Sequence, residues 1–386
     1  MATTIEQEPL YPQLPVGQEV IFVVSNNTIV ASQLNVRFIA DVYISDNNPT
    51  AISSTSTPIA TFKTTPNNAG VGIFDFKQVV ENYVSADNMA FDNSEYKGIT
   101  TTDDTPHPLH LIDKYSRNKK AARWLDIEFK TQYTDANGDV QIDTPTLTNN
   151  NYQIFNGYLK YSDELSIFNN DFGFDLGNFN LSSPTDRFLT NAPVTQYANI
   201  EDYGTVAYLA PNGNVSYIKL IYKNSSNVQI GTENITRNFS NGAYTNFGSE
   251  IRKRIVYFGC YPANLMRNGS SIFAGLVSAG TIQGGSIIVQ AFNSGNSAIS
   301  KAYTININCP NLKGFESIRL CWLNQWGAWD YYTFTQKSIR SISTKGSTYE
   351  QLAGTWNEAA YRVDSYKGGK KAFRVNATEK KTMNSD

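Results

Sequence analysis

The sequence predicts an all-β, mainly antiparallel protein, arranged as tandem β-sandwich-like domains with one or two short helices. Asparagine makes up about one residue in ten, and Gly, Ser, Thr and Tyr are abundant. Asn and Gly tolerate the positive φ of tight turns, and Thr and Tyr suit pleated surfaces. Short runs of alternating hydrophobicity recur along the chain, joined by Gly- and Asn-containing turns, which is typical of sandwiches.

The N-terminal half begins with two predicted strands and one predicted helix. Residues 35–45, NVRFIADVYIS, alternate strictly between apolar and other positions, which indicates a strand with one buried face. Residues 19–24, EVIFVV, are predicted to pair with that strand. In residues 74–85, apolar side chains at i, i+1 and i+4 share one side of a short helix, so we expect the main helix near residues 76–85.

Two predicted hairpins are built around Asn-Gly dipeptides. Residues 123–143 form two alternating runs on either side of Asn-Gly 137–138, a dipeptide that suits a type I′ turn. Residues 205–224 repeat the pattern around Asn-Gly 212–213. A third pair of strands is predicted at 285–292 and 301–309, joined by a loop of Gly, Asn and Ser.

The spacing of these elements predicts four segments. Residues 1–165 form an N-terminal sandwich-like domain, and residues 166–189 a linker or long loop without periodicity. Residues 190–345 form a second sandwich-like domain. Residues 346–386 form a basic C-terminal arm or the start of a further module.

An aromatic hairpin at 319–334, RLCWLNQWGAWDYYTF, holds three of the five tryptophans. Its six large aromatic side chains could bury roughly 1,000 Å², more than the roughly 300–600 Å² of the largest apolar patch on a typical monomer. Alternation therefore assigns Trp322, Trp329 and Tyr331 to a core. Three interpretations stay open for the hairpin as a whole: a core element, an oligomer interface, or a platform that stacks on a sugar ring.

The residues left outside that core are the candidate interface. Tyr332 and Phe334 lie on the opposite face of the predicted strand, and Trp326 falls in the turn, where we expect it to be exposed. Lys380 and Lys381 belong to the basic arm, which we expect to order against a neighbouring subunit. The candidate interface residues are Trp326, Tyr332, Phe334, Lys380 and Lys381.

Charge and motifs argue against several functions. The net charge is -2 with 17% charged residues, so we expect no nucleic-acid partner. The three cysteines are scattered, and a metal site at His107 and His110 would need further donors that the sequence does not supply. Asp135, Asn137 and Asp139 resemble a calcium loop, but their Gly stands fourth rather than sixth. We expect no enzyme activity, no metal and no cofactor.

The sequence also bears on location. No apolar run follows the start of the chain, and no run is long enough to span a bilayer. We therefore expect a soluble protein made in a cytoplasm without a signal peptide, and no membrane partner.

Three stretches resemble virion structural proteins of tailed bacteriophages, of the tail, baseplate or neck type, including uncharacterised proteins of marine and Bacteroidetes phages. They are IRLCWLNQWGAWDYYTFTQKS, GIFDFKQVVENYVS and the closing GKKAFRVNATEKKTMNSD. The resemblance implies a structural component of a phage particle, located in the virion, that assembles as a homo-oligomer with other virion proteins. The alternative is a carbohydrate-binding fibre or adhesin that contacts a host-surface glycan.

Overall fold

The computed structural model describes residues 2–9, 13–45, 57–85, 89–90, 107–108, 115–117, 121–148, 152–158, 181–209, 215–236, 255–267, 270–308, 315–350, 354–355, 358–362 and 369–384. Strands account for 51% and helices for 10% of the structure, and most strand pairs are antiparallel. The predicted all-β class is confirmed.

Four short α-helices lie within the described residues, where one or two were expected. They are α1 (Asn27–Ser32), α2 (Lys77–Val80), α3 (Pro262–Arg267) and α4 (Ser271–Ser278). The helix predicted near 76–85 is present as α2, which a 3-10 turn at Glu81–Tyr83 continues. The longest helix is instead α4, whose first turn is capped by Ser270 Oγ accepting the Phe273 N–H at 3.0 Å.

Two sheets form the N-terminal sandwich. The smaller sheet has the order β1 (Thr4–Gln7), β3 (Ile21–Ser25), β6 (Val71–Asp75). The larger sheet has the order β2 (Gln13–Pro15), β13 (Tyr152–Phe155), β10 (Ala122–Thr134), β4 (Leu34–Ser45), β5 (Ala60–Thr64), and β10 also pairs with β11 (Val140–Ile142) and β12 (Thr146–Leu147).

The apolar faces of these two sheets pack together. Phe38 and Val42 of β4 are fully buried in one core cluster with Phe22 of β3, which confirms the alternation predicted for residues 35–45. The predicted pairing of residues 19–24 with that strand is wrong. β3 pairs with β1 and β6, and it meets β4 only through side chains across the core. Two strands that each have one apolar face can bury those faces as neighbours in one sheet or as facing strands in the two sheets of a sandwich. The apolar pattern is the same in both arrangements.

A second pair of sheets follows. The larger has the order β14 (Thr195–Ala198), β20 (Tyr303–Ile307), β19 (Ser286–Phe292), β16 (Tyr217–Lys223), β17 (Gln229–Thr236). The smaller has the order β15 (Thr205–Leu209), β18 (Ile255–Gly259), β9 (Tyr115–Arg117). A short pair joins β7 (Met89–Ala90) to β8 (His107–Pro108).

The smaller of these sheets is covered on both faces. Val256 and Phe258 of β18 pack in a core cluster with the five-stranded sheet, whereas Ile255 and Tyr257 pack in a different cluster on the other side. Every residue of β18 is therefore buried. A continuous apolar run is the pattern expected of a strand with two covered faces.

Of the two sequence-predicted pairings in this region, one is confirmed and one is wrong. β19 pairs with β20, as predicted for residues 285–309. Residues 205–209 and 217–223 are strands, as predicted, but they belong to different sheets: β15 pairs with β18, and β16 pairs with β17 and β19. The Asn-Gly pair at 212–213 lies outside the described residues.

Five strand connections share one turn geometry, which we call the Asx turn. The first residue is Asn or Asp, and its backbone N–H donates to the carbonyl four residues on, while the fourth residue adopts positive φ and donates back to the first carbonyl. In four of the five turns the first side-chain oxygen accepts two further backbone N–H groups, and in the turn at Asn293 it accepts one. The turns begin at Asn67, Asp135, Asn224, Asn293 and Asn324.

The hairpin predicted around residues 137–138 is confirmed, but its turn type is not. β10 pairs with β11 through Thr134 and Val140, and Gly138 has φ of 87°. Asn137 does not have positive φ, whereas a type I′ turn needs positive φ at both central positions. The connection is instead a type I turn followed by a left-handed glycine, and the side chain of Asp135 closes it.

The chain divides into two compact units. Unit 1 comprises residues 1–310 and 321–332, and unit 2 comprises residues 311–320 and 333–386. The boundaries predicted at 165 and 190 fall inside unit 1, and the four-segment division stays a prediction. Within the predicted linker, Leu181, Phe188 and Leu189 are buried in core clusters of unit 1, so residues 181–189 are a packed segment.

Two further hairpins complete the fold. The first consists of β21 (Ile318–Leu323) and β22 (Trp329–Phe334), and the second of β23 (Ile339–Glu350) and β24 (Lys370–Thr382). Each hairpin is a separate two-stranded sheet. The turn predicted at Trp326 between the first two strands is confirmed as one of the Asx turns.

The Asx turns make a prediction about stability. Asn224→Ala removes the acceptor for the N–H groups of Ser226 and Val228, so we expect the free energy of unfolding to fall by about 1 kcal/mol. Asn227→Gly, at φ of 61° in the same turn, should be neutral or stabilising because glycine tolerates that backbone conformation. Urea denaturation of both variants tests this, and an Asn224→Ala protein as stable as the wild type would contradict it.

Candidate interaction surfaces

The tip of the aromatic hairpin is buried. Trp326 is 9% exposed and packs in a core cluster of unit 1 with Phe155, Leu189 and Ile255. The expectation that Trp326 is exposed and available to an interface is therefore wrong. Trp326 does lie in a turn, but the whole turn packs within unit 1, so the side chain is not in solvent.

Backbone contacts fix that docked position. The Gln325 carbonyl accepts the Tyr158 N–H at 2.8 Å, and the Asn324 side chain donates to the Leu189 carbonyl at 2.9 Å. A Cβ on Gly327, which has φ of 73°, would come within 2.7 Å of the Asn156 carbonyl oxygen. Only glycine allows so close an approach in this conformation.

Tyr331 of β22 lies in the core, as the alternation predicts. This residue is buried in the large core cluster, and its hydroxyl lies 3.1 Å from Thr205 Oγ1. Trp329 is partly buried against the same cluster. Asp330 is also buried, and it accepts hydrogen bonds from Thr190 Oγ1 and the Asn191 N–H. Burial raises the pKa of Asp330, and these hydrogen bonds act in the opposite direction.

The assignment of Trp322 to a core is wrong. Trp322 is 41% exposed, and all of Leu320 to Leu323 are exposed on β21. Within the described part of the chain, β21 pairs only with β22 in its sheet. Strand alternation shows which residues share a face, but it does not show how far that face is covered.

Tyr332 and Phe334 are half-buried. They lie on the face of β22 opposite Tyr331, as the alternation predicts, and neither is without a partner in the structure. Their role in an interface stays a prediction.

The predicted C-terminal arm is a hairpin within its own chain. β24 pairs antiparallel with β23 over twelve residue pairs, with a bulge between Ser347 and Thr348. All residues of the two strands are exposed except Lys381, which is half-buried. The sequence missed this pairing because β23 alternates small polar residues with few apolar ones, and a strand with two solvated faces lacks the apolar period.

The two faces of this hairpin differ in charge. Residues directly opposite each other share a face. One face carries Lys345, Arg374 and Lys380, opposite Asn376, Ser347 and Ser341 respectively. Lys371 lies on the same face, opposite Tyr349, whose ring meets the Phe373 ring edge-on at 6.5 Å. We call this the basic face. No acidic residue lies on it within β23 and β24.

On the other face, acids balance the basic residues. Arg340 pairs with Glu379, and Lys381 Nζ lies 2.6 Å from Glu316. Lys370 stands opposite Glu350. The two candidate lysines therefore differ: Lys380 points to the basic face and has only a serine opposite it, whereas Lys381 is held by an ion pair.

The described residues contain no group of three or more His, Cys, Asp or Glu side chains placed to hold a metal ion. His107 lies in β8, and His110 lies outside the described residues. Asp135, the first residue of the supposed calcium loop, already accepts the N–H groups of Asn137 and Asp139 and a hydrogen bond from Gln141. These bonds lower the pKa of Asp135.

No protein-family model and no curated protein matches the chain. Across the described part of the structure, no helix has the length and apolar character needed to cross a membrane.

The tryptophans allow a direct test of the core assignment. Trp326→Ala should lower the free energy of unfolding by about 3–5 kcal/mol because it empties a packed site. Trp322→Ala should lower it by clearly less than Trp326→Ala does, because the Trp322 side chain is 41% exposed. Urea denaturation compares the two, and equal losses would contradict the assignment.

Buried Asp126 makes a prediction about pH. It lies opposite Tyr43 on β4, and burial raises the pKa of its carboxyl from 3.8 to about 6. Between these values the folded state binds the proton more tightly than the unfolded state, so the group costs stability as pH rises, by at most about 1.4 kcal/mol per pH unit. The stability advantage of Asp126→Asn over the wild type should grow from pH 4 to pH 6 and then stay constant. An advantage independent of pH would contradict this.

Proposed function

We propose that this chain is a structural component of a tailed bacteriophage particle, in the tail, baseplate or neck, and that it acts by assembly with itself and with neighbouring virion proteins. Its location is then the virion. The resemblance of three stretches to virion proteins supports the phage assignment.

One observation supports assembly above all. In unit 2, none of the apolar side chains in residues 315–320, 333–350, 354–355, 358–362 and 369–384 is buried. Ile342, Phe373 and Val375 are exposed in its hairpin. An isolated two-stranded hairpin is at best marginally stable in water. A surface of this kind gains stability when a partner covers it, and assembly interfaces commonly bury 2,000 Å² or more.

Electron microscopy of phage particles tests the proposal. An affinity tag after residue 386, labelled with gold, should place the protein in a ring around the tail axis. Label found only at projecting tips would favour a receptor-contact role, and purified particles that lack the protein by mass spectrometry would overturn the virion assignment.

A second candidate function is carbohydrate binding at the host surface, which the exposed indole of Trp322 favours. Aromatic rings in solvent can stack on the apolar faces of sugars. If Trp322 forms such a site, Trp322→Ala should abolish binding on a glycan array, while Leu323→Ala on the same exposed strand should not. A wild-type protein that binds no glycan would remove this candidate.

A further inference from the structure

The sequence contains five Asn-Gly pairs, and two of them lie within the described residues. Asparagine loses its side-chain amide most readily when glycine follows it, because glycine has no Cβ to obstruct the backbone nitrogen that attacks the amide carbon. The two described pairs begin at Asn137 and Asn156. The same reactive dipeptide therefore occurs in two different environments of one fold.

The first pair stands at the tip of the hairpin formed by β10 and β11. Asn137 and Gly138 are both exposed, and a Cβ built on Gly138 would have no atom within 4 Å. Within the described part of the chain, no hydrogen bond engages the Asn137 side chain. The restraints on this backbone come from Asp135. Its carboxylate accepts the Asn137 N–H at 2.9 Å, and its carbonyl accepts the Gly138 N–H at 3.0 Å.

The second pair is packed. Gly157 is buried, and a Cβ on it would lie 2.8 Å from the Gln325 carbonyl oxygen in the docked turn of the aromatic hairpin. The Asn156 carbonyl oxygen would lie 2.7 Å from a Cβ on Gly327 in the same turn. Ring closure between an asparagine side chain and the next backbone nitrogen requires the backbone to rotate, and close-packed neighbours resist that rotation.

We propose that Asn137 is a site of spontaneous deamidation, independent of any role in a virion, and that packing protects Asn156. The Gly138 nitrogen loses its proton and bonds to Cγ of Asn137, which closes a succinimide ring. The Cγ–Nδ2 bond breaks, and ammonia leaves with that proton. Water then opens the ring at either carbonyl and leaves aspartate or isoaspartate at this position. The net reaction consumes one water, releases ammonium and adds one negative charge to a chain of net charge -2.

The modification changes a surface turn and leaves the core in place. β11 spans only Val140–Ile142, and all three of its residues are exposed. Isoaspartate inserts an additional carbon into the backbone of the turn, which displaces the Gly138 N–H from the Asp135 carbonyl. We expect β11 to separate from β10 by local opening while the buried face of β10 stays packed.

Incubation of the folded full chain at mildly alkaline pH, followed by peptide mapping with mass spectrometry, tests the site. Deamidation should be at least about tenfold faster at Asn137 than at Asn156, because Asn156 reacts only when a packed region opens. In the urea-unfolded chain, where packing is lost, the two rates should converge. Equal rates in the folded chain would overturn the proposal, and so would an Asn137 that does not react.

Two variants test the cause and the consequence. Asp135→Ala removes the carboxylate that restrains the turn, so it should raise the rate at Asn137 about fivefold and leave Asn156 unchanged. An unchanged rate at Asn137 would overturn the assignment of Asp135 as the restraint. Asn137→Gln retains an amide but closes the larger ring slowly. After incubation, amides of β11 should exchange faster in the wild type than in Asn137→Gln, and equal exchange would overturn the separation of β11.

Discussion

A β-sheet must cover at least one of its faces with apolar side chains, and this requirement organises the chain. Unit 1 satisfies it with two sandwiches: Phe22 and Phe38 belong to one buried core, and Tyr208 and Ile287 belong to another. In β18 both faces are covered. The hairpin of β23 and β24 does not satisfy it, because both of its faces are exposed. The proposed assembly is the step that would cover it.

The elements that sequence reasoning predicted well are those with local causes. The strand at residues 35–45 and the pair at 285–292 and 301–309 follow from local sequence patterns, which need no knowledge of the rest of the chain. The Asx turns are equally local, since a side chain such as Asn224 closes its own loop. They give a physical reason for the abundance of asparagine, which both accepts backbone N–H groups and tolerates positive φ.

Pairing partners and the burial of single residues depend on contacts between distant parts of the chain. The sequence did not predict these correctly. Residues 19–24 bury one face in either arrangement, so the pattern cannot distinguish a neighbour in the same sheet from a strand across the core. Trp326 sits in a turn that looks exposed, but Tyr158 and Leu189 bind that turn from more than 130 residues away in the chain. Of the candidate interface, Lys380 lies on the basic face and Trp326 does not belong to a surface.

The central claim is that the C-terminal hairpin is covered only by a partner. Hydrogen exchange of its backbone amides tests this most directly, because exchange reports opening of the strands. In dilute protein, amides of β23 and β24 should exchange quickly while those of β18 are protected. As concentration rises and copies associate, protection should appear in the hairpin. Strong protection of the hairpin in dilute, monomeric protein would contradict the account.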